Sequence, residues 1–155
     1  MFNVKKAGGT FKGIIGECLF KLTNDSVIIT KFFNKEKFFF YFSKYFTCEQ
    51  ESFLRKHWFS IDAIEVNGIS NKAVIIYEIK TRNKYSKGLY FKPKMTENTS
   101  TIYSNAKSLR IEVQMVTVWL YQNWEYDVEI KEFDLDDFCI EKPKTYDWRA
   151  ILLKK

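Results

Sequence analysis

The sequence predicts an α/β fold in which a mixed central β-sheet is flanked by helices. Two observations support this: segments whose apolar residues recur at helical spacing alternate with short runs rich in valine and isoleucine. A third is size, because 155 residues, 46% of them hydrophobic, suffice for one core. We therefore expect a single domain over residues 1–155, with a core at about 10–134 and a C-terminal docking segment at 135–155.

The first predicted element is a helix over about residues 11–22, where apolar side chains recur every three or four positions. Gly13 and Gly16 lie inside it, and each costs about 1 kcal/mol relative to alanine, so we expect another part of the chain to approach this backbone closely. A β-strand over residues 26–33 follows, predicted from its β-branched side chains.

Residues 37–46 contain seven aromatic side chains, which is too dense a run for spacing to distinguish helix from strand. We interpret the run as a core element buried on both sides, because aromatic side chains dominate core energetics. A dimer interface and a wedge that unstacks bases are the alternatives. A short helix is predicted after it, over residues 49–58.

The second half opens with a predicted β-hairpin. Residues 59–66 and 72–80 have the composition of strands, and the turn-rich stretch 67–71 joins them. A long helix is predicted over residues 102–121 from a stripe of apolar positions. A half-exposed strand over residues 126–134 follows, because apolar and acidic side chains alternate there.

Residue usage excludes several classes of protein. No apolar run approaches the roughly 20 residues that a bilayer span needs, and nothing resembles a secretion signal, so we expect a cytoplasmic protein. Cys18, Cys48 and Cys139 stand far apart with no C-x-x-C pair, which argues against a zinc site or a disulfide framework and favours buried free thiols. His57 is the only histidine, so any chemistry depends on carboxylates and lysines.

The formal net charge of +6 is unevenly distributed. Residues 79–94 contain six basic residues and no acidic one, a pattern typical of a surface beside a polyanion. We therefore expect DNA as a partner. A solvated lysine-rich loop is the alternative.

The predicted hairpin brings charged side chains together. Glu78 and Lys80 are two positions apart in a strand and so share a face. If the hairpin folds about Ser70, Asp62 lies opposite Glu78 on that same face. Two carboxylates about 4 Å apart repel by about 4 kcal/mol at an effective dielectric near 20, and a divalent cation removes this cost. Mg²⁺ or Mn²⁺ is the expected cofactor, with Asp62 and Glu78 as its ligands.

These residues resemble the signature of the PD-(D/E)XK nuclease superfamily, which is an acidic residue, a variable gap and then (D/E)-X-K. Here the match is Asp62, a fifteen-residue gap, and Glu78-Ile79-Lys80. Residues 12–17, Lys-Gly-Ile-Ile-Gly-Glu, also match the K-G-x-x-x-E motif of archaeal Holliday junction resolvases, and residues 78–82, Glu-Ile-Lys-Thr-Arg, are similar to their E-V-K-S-R stretch.

The resemblance implies a restriction-endonuclease-like core and a metal-dependent DNA endonuclease, from an archaeal or viral source, with branched DNA such as Holliday junctions as one substrate and a homodimer as the assembly. It implies that Lys80 assists the nucleophilic water and that Glu17 supports a second cation or its water shell. The residues expected to hold phosphates are Lys12, Arg82, Lys84, Lys107, Arg110 and Gln114.

Simpler interpretations stay open. Asp62 can be a polar residue at a strand end, Glu78 and Lys80 can form a surface ion pair worth at most about 1 kcal/mol, and Glu17 can be solvated. Gln114 is equally well explained as an ordinary polar-face residue. The rival function is a non-catalytic DNA-binding or viral structural protein that retains a nuclease-like fold.

Overall fold

The computed structural model of the chain describes residues 9–67, 74–83 and 92–142. Its helices are α1 (Gly9–Thr23), α2 (Lys35–Phe42), α3 (Cys48–His57) and α4 (Glu97–Ser108). Its strands are β1 (Ile28–Ile29), β2 (Ala63–Val66), β3 (Val74–Asn83), β4 (Lys94–Thr96), β5 (Glu112–Leu120), β6 (Tyr126–Glu132) and β7 (Cys139–Glu141).

Five of these strands form the central sheet, in the order β1-β2-β3-β5-β6. Neighbouring strands are antiparallel except β3 and β5, which run parallel because α4 connects them. β4 and β7 form a separate two-stranded parallel sheet. The predicted α/β fold with a mixed central sheet is confirmed.

Apolar side chains cover both faces of this sheet. On one face α1 packs against β3 and β5, with Phe20 against Tyr77 and Val116. On the other face α2, α3 and α4 contribute a second core, which includes Phe38 and Tyr103. Helices therefore flank the sheet on both sides, as predicted.

Gly16 explains how closely α1 packs on the sheet. A Cβ atom at this position would overlap the hydroxyl oxygen of Thr81 on β3, so only glycine fits. The predicted close approach is confirmed at Gly16. It is wrong at Gly13, where no described part of the chain outside its own helix lies within 4 Å of the place that a Cβ would occupy.

The predicted long helix over residues 102–121 is wrong in its second half. The helix ends at Ser108, Arg110 has a positive φ of 63°, and β5 begins two residues later. Val113 belongs to one core cluster and Val118 to the other, so β5 is buried on both faces. A strand buried on both faces shows no alternation, and its apolar positions happened to extend a helical stripe.

The aromatic run forms the helix α2 and a short 3₁₀ turn after it. Phe38 and Phe39 are buried, whereas Phe40 and Tyr41 are exposed. Burial on both sides is therefore wrong, and only one face of the helix is core.

The prediction that the cysteines are buried is wrong as well, because all three thiols are free and exposed.

The strand before the hairpin and the first strand of the hairpin are both shorter than predicted. The strand predicted over residues 26–33 is the two-residue β1, and residues 30–32 form a 3₁₀ turn. The strand predicted over residues 59–66 begins at Ala63, because residues 58–60 form another 3₁₀ turn.

The tail docks on the rest of the chain as far as it is described. Phe138 is buried in the core beside Phe133, and β7 pairs with β4. The later part of the predicted docking segment, residues 143–155, lies outside the described residues, as does most of the basic stretch, residues 84–91. Among the described residues no helix has both the length and the apolarity to cross a membrane.

Candidate active site

The register of the β2–β3 hairpin brings the predicted acidic residues together. Ala63 pairs with Tyr77 and Val66 pairs with Val74. One further step places Asp62 opposite Glu78, which is the register of a hairpin folded about Ser70. The predicted register is confirmed, although the turn itself lies outside the described residues.

Asp62 lies at the point where β3 continues beyond its neighbour. β2 begins at Ala63, so β3 extends past it from Glu78 onward. Asp62 Oδ2 accepts a hydrogen bond from the backbone N–H of Ile79 at 2.8 Å, and the carbonyl of Asp62 accepts one from the backbone N–H of Thr30 at 3.2 Å. The carboxylate of Asp62 is therefore held by the backbone of β3, and its main chain is held by the backbone at Thr30.

Glu78 is buried within hydrogen-bonding reach of two donors. The residue is 6% exposed. Its Oε1 lies 3.0 Å from Lys80 Nζ, and its Oε2 accepts a hydrogen bond from the hydroxyl of Tyr103 on α4. Glu78 and Lys80 thus share a face, as predicted. Burial and the charges of Glu78 and Asp62 raise the pKa of Tyr103 well above its ordinary value, so this phenol stays a donor.

Glu17 reaches the same region from α1. It is 5% exposed, and its Oε1 lies 2.9 Å from Lys31 Nζ. Its other oxygen, Oε2, is buried and has no hydrogen-bond partner among the described residues. The interpretation of Glu17 as a solvated residue is therefore wrong.

The carboxylates interact electrostatically. Burial, the charge of Glu78 and, less strongly, the charge of Glu17 together raise the pKa of Asp62 from its ordinary 3.8 to about 8. The Ile79 N–H and the Lys80 charge oppose this rise. Without a cation, Asp62 is therefore mostly protonated at neutral pH, beside two buried carboxylates that are each paired with a lysine.

We tested whether these residues fit a divalent cation. Over residues 9–67, 74–83 and 92–142, no three His, Cys, Asp or Glu side chains are positioned to hold one metal ion together. Mg²⁺ does not require three, because it keeps several waters and binds through one or two carboxylates. Asp62 and Glu78 meet that requirement, and the unpartnered Glu17 Oε2 can accept a hydrogen bond from a water of a hydrated ion.

Two of the predicted phosphate ligands lie towards the end of β3 that carries Lys80. Arg82 follows Lys80 on the same face of β3. On the other face Gly16 lies on Thr81 and Phe20 lies on Tyr77, so α1 runs antiparallel to β3. Lys12 precedes Gly16 by about one turn of α1 and therefore lies towards the end of β3 that carries Arg82. Lys84 lies outside the described residues.

Lys107 and Arg110 lie towards the other end of the sheet. Lys107 Nζ donates to the backbone carbonyl of Phe133 at 2.8 Å. Arg110 precedes β5, whose first residue pairs with Ile75, so a strand rise of about 3.3 Å per residue separates it from the level of Glu78 by about 17 Å. The structure does not bring these two side chains to the acidic group.

Gln114 lies on the wrong face of the sheet for the predicted role. It is a residue of β5 rather than of a helix, and it pairs with Tyr77, which faces α1. Its side-chain amide donates to Glu112 at 2.9 Å. The helix predicted over residues 102–121 ends at Ser108, so Arg110 and Gln114 do not share a helical face with Lys107.

Sequence reasoning missed Tyr103, Lys31 and Thr117. Tyr103 adjoins Ile102, which belongs to the predicted inward stripe of α4, so a tyrosine among inward residues was a usable signal. Thr117 is buried beside Lys80, a position that only the strand assignment of β5 reveals. No sequence pattern identifies Lys31, because its contact depends on a 3₁₀ turn.

Comparisons of the chain with models of protein families, with curated proteins and with solved structures found no match. The assignment of function therefore depends on the geometry of the acidic group.

Proposed function

We propose that the chain is a Mg²⁺-dependent endonuclease that hydrolyses DNA phosphodiester bonds, with Asp62, Glu78, Lys80 and Glu17 at its active centre. The observation that carries the proposal is the convergence of Asp62, Glu78 and Glu17, where burial and the neighbouring carboxylates raise the pKa of Asp62 to about 8. Such perturbed groups cluster at functional sites, because catalytic groups need pKa values matched to their task.

The order of elements supports a PD-(D/E)XK core. A helix with a glutamate (α1) precedes a hairpin with an aspartate and E-x-K, and a helix (α4) and a strand (β5) follow. This is the order that the resemblance in the sequence implies. The sequence predicts α1 and the hairpin in this order, whereas it predicts the residues of β5 as the second half of a helix.

Each side chain has a role in this proposal. Asp62 and Glu78 hold the cation. When bound, Mg²⁺ supplies charge stabilisation at the phosphoryl oxygens and lowers the pKa of a water. Lys80 orients the attacking water and offsets developing negative charge, from its place 3.0 Å from Glu78. Tyr103 is a positioning residue, because its hydroxyl fixes the orientation of Glu78.

Basic side chains at the same end of the sheet hold the DNA. Lys12 and Arg82 contact phosphates there. Because Lys107 and Arg110 lie towards the opposite end, we do not include them in this surface. Branched DNA is the substrate suggested by the resemblance.

One observation favours a non-catalytic DNA-binding protein as the second candidate. Both oxygens of Glu78 already have partners, one in Lys80 and one in Tyr103. A carboxylate satisfied in this way can be purely structural. Only the nuclease needs Mg²⁺ or Mn²⁺, so the dependence on a metal ion separates the two functions.

The decisive experiment incubates supercoiled plasmid with the protein in Mg²⁺, in Mn²⁺ and in EDTA. We expect nicking only with a metal ion, and Asp62→Asn and Glu78→Gln to reduce it by more than about 100-fold, beyond the cost of losing an outer-shell partner. The matched control is Glu65→Gln, because Glu65 lies on the opposite face of the hairpin, where it accepts from Tyr77. Wild-type cleavage by Glu78→Gln would remove the proposed active centre.

A further inference from the structure

Two exposed phenylalanines adjoin the candidate active site. Phe59 is 85% exposed and Phe32 is 59% exposed. They belong to the 3₁₀ turns 58–60 and 30–32, which contact each other. Burying a phenylalanine side chain is worth about 1.5–3 kcal/mol, and these two rings leave most of that unused.

Hydrogen bonds fix both turns to the active centre. The Thr30 hydroxyl donates to the carbonyl of Ile61, and the Thr30 backbone N–H donates to the carbonyl of Asp62 at 3.2 Å. Lys31, which follows in the same turn, forms the ion pair with Glu17. The two rings therefore have a defined place beside the residues assigned to metal binding.

A lysine adjoins each ring. Lys35 Nζ lies 5.9 Å from the centroid of the Phe59 ring, and Lys31 adjoins Phe32. The acidic residues that follow these turns in the sequence are Glu36, which is paired with Arg55, and Asp62, a proposed metal ligand. Aromatic rings with lysines beside them suit single-stranded nucleic acid, whose bases stack on the rings while its phosphates approach the ammonium groups.

A second copy of the chain fits this surface less well. In a two-fold symmetric contact each copy presents the same patch, so the lysines of one patch face those of the other. Like charges brought together in this way oppose association.

We infer that Phe59 and Phe32 form a stacking surface for unpaired bases of the DNA substrate, with Lys35 beside the adjacent phosphate. The inference rests on the proposed nuclease function and narrows its substrate class. Bases in a continuous duplex are stacked on one another and cannot reach a ring. The substrate is therefore DNA with single-stranded nucleotides next to the bond that is cut, as in a flap or a branch.

The test measures the binding of fluorescein-labelled DNA to the full chain in EDTA, at one fixed salt concentration. Three probes are used: a duplex, the same duplex with a flap of about five nucleotides, and that flap with abasic sites in place of its bases. We expect the flap with bases to bind roughly 5- to 100-fold more tightly than the abasic flap, which corresponds to one stacked base or two.

Variants at Phe59 decide whether its ring is responsible. Phe59→Ala should remove the preference for the flap with bases and leave the duplex affinity unchanged, whereas Phe59→Trp should retain the preference. Because the side chain is exposed, neither change should disturb folding. The matched control is Phe40→Ala, which removes an equally exposed ring, 82% accessible, from the outward face of α2.

Three results would overturn the inference. The first is equal affinity of the wild type for the two flaps. The second is a Phe59→Ala variant that loses duplex and flap affinity by the same factor. The third is a dimer in sedimentation velocity that Phe59→Ala dissociates without changing the flap preference.

Failure of the proposed function gives a different result. A chain that shows the Phe59-dependent preference in EDTA but cuts no DNA in Mg²⁺ rejects the nuclease and supports the stacking surface. A chain that cuts DNA in Mg²⁺ without any Phe59-dependent preference rejects the stacking surface alone.

Discussion

Two tyrosine–glutamate pairs lie on opposite faces of the hairpin, and their surroundings differ. Tyr77 donates to Glu65 at 2.9 Å, and the other carboxylate oxygen of Glu65 accepts from the Ser26 hydroxyl. Tyr103 donates to Glu78, whose other oxygen is paired with Lys80. In both glutamates, each carboxylate oxygen has a hydrogen-bond or ion-pair partner.

The difference lies in the neighbouring carboxylates. Asp62 and Glu17 join Glu78, and burial together with the neighbouring carboxylates raises the pKa of Asp62 to about 8. A tyrosine–glutamate hydrogen bond is thus an ordinary structural contact, and Glu65 shows it in that form. What marks the Glu78 end of the hairpin is the negative charge that ionised Asp62 would add, which the protein alone does not offset.

The largest expected effect tests whether this charge serves catalysis. Glu78→Ala and Lys80→Ala should each lower Mg²⁺-dependent cleavage by more than about 100-fold. In EDTA, Glu78→Ala should keep or raise DNA affinity because it deletes a negative charge facing a phosphate, and Lys80→Ala should lower affinity a few-fold. Fluorescence anisotropy measures the binding. Affinities that shift in the same direction would contradict the shared site.

A smaller effect tests how closely α1 packs on the face of the sheet that carries Tyr77. Gly16→Ala should lower the free energy of unfolding by about 1–3 kcal/mol, because the new methyl group overlaps Thr81. Gly13→Ala is the matched control in the same helix and should raise it by up to about 1 kcal/mol. Urea denaturation measures both. Equal effects at the two glycines would show that α1 can move away from the sheet at little cost.

The smallest expected effect concerns pH. The pKa of Asp62 in the folded chain is about 8, above its ordinary 3.8, so the protonated carboxyl stabilises the fold fully below pH 4 and this contribution is lost as pH rises towards 8. Without metal, the melting temperature of the wild type should fall by a few degrees relative to Asp62→Asn between pH 5 and pH 8.

Two comparisons complete the pH experiment. Glu65→Gln should keep the wild-type pH dependence, because Asp62 is intact in it. Mg²⁺ should raise the melting temperature of the wild type most at high pH, where Asp62 is ionised. Parallel pH profiles of the wild type and Asp62→Asn would refute the assigned titration.

The sequence predicts the acidic group well because strand geometry is simple. Residues two apart share a face, and one turn position fixes the register of a hairpin, so the alignment of Asp62 with Glu78 follows from counting. The close approach at Gly16 is predictable for a similar reason, since a glycine inside a helix carries a cost that packing must explain.

The sequence does not predict the neighbours of that group. Tyr103 reaches Glu78 only because α4 ends at Ser108 and β5 lies parallel to β3, an arrangement that a strand buried on both faces conceals. Lys31 pairs with Glu17 across a distance in sequence that no periodicity connects. Local sequence patterns therefore predict the proposed metal ligands, whereas tertiary packing determines which groups orient them.

The edge strand β6 affects how a second copy of the chain, or the proposed DNA substrate, can approach the molecule. It is the last strand of the sheet, it is mostly exposed, and acidic residues recur along it, among them Asp127, Glu129 and Glu132. An open strand edge invites another strand to add to it, and like charges along that edge discourage the addition of a second copy. The same carboxylates repel phosphate groups, so the proposed DNA substrate would approach another side of the molecule.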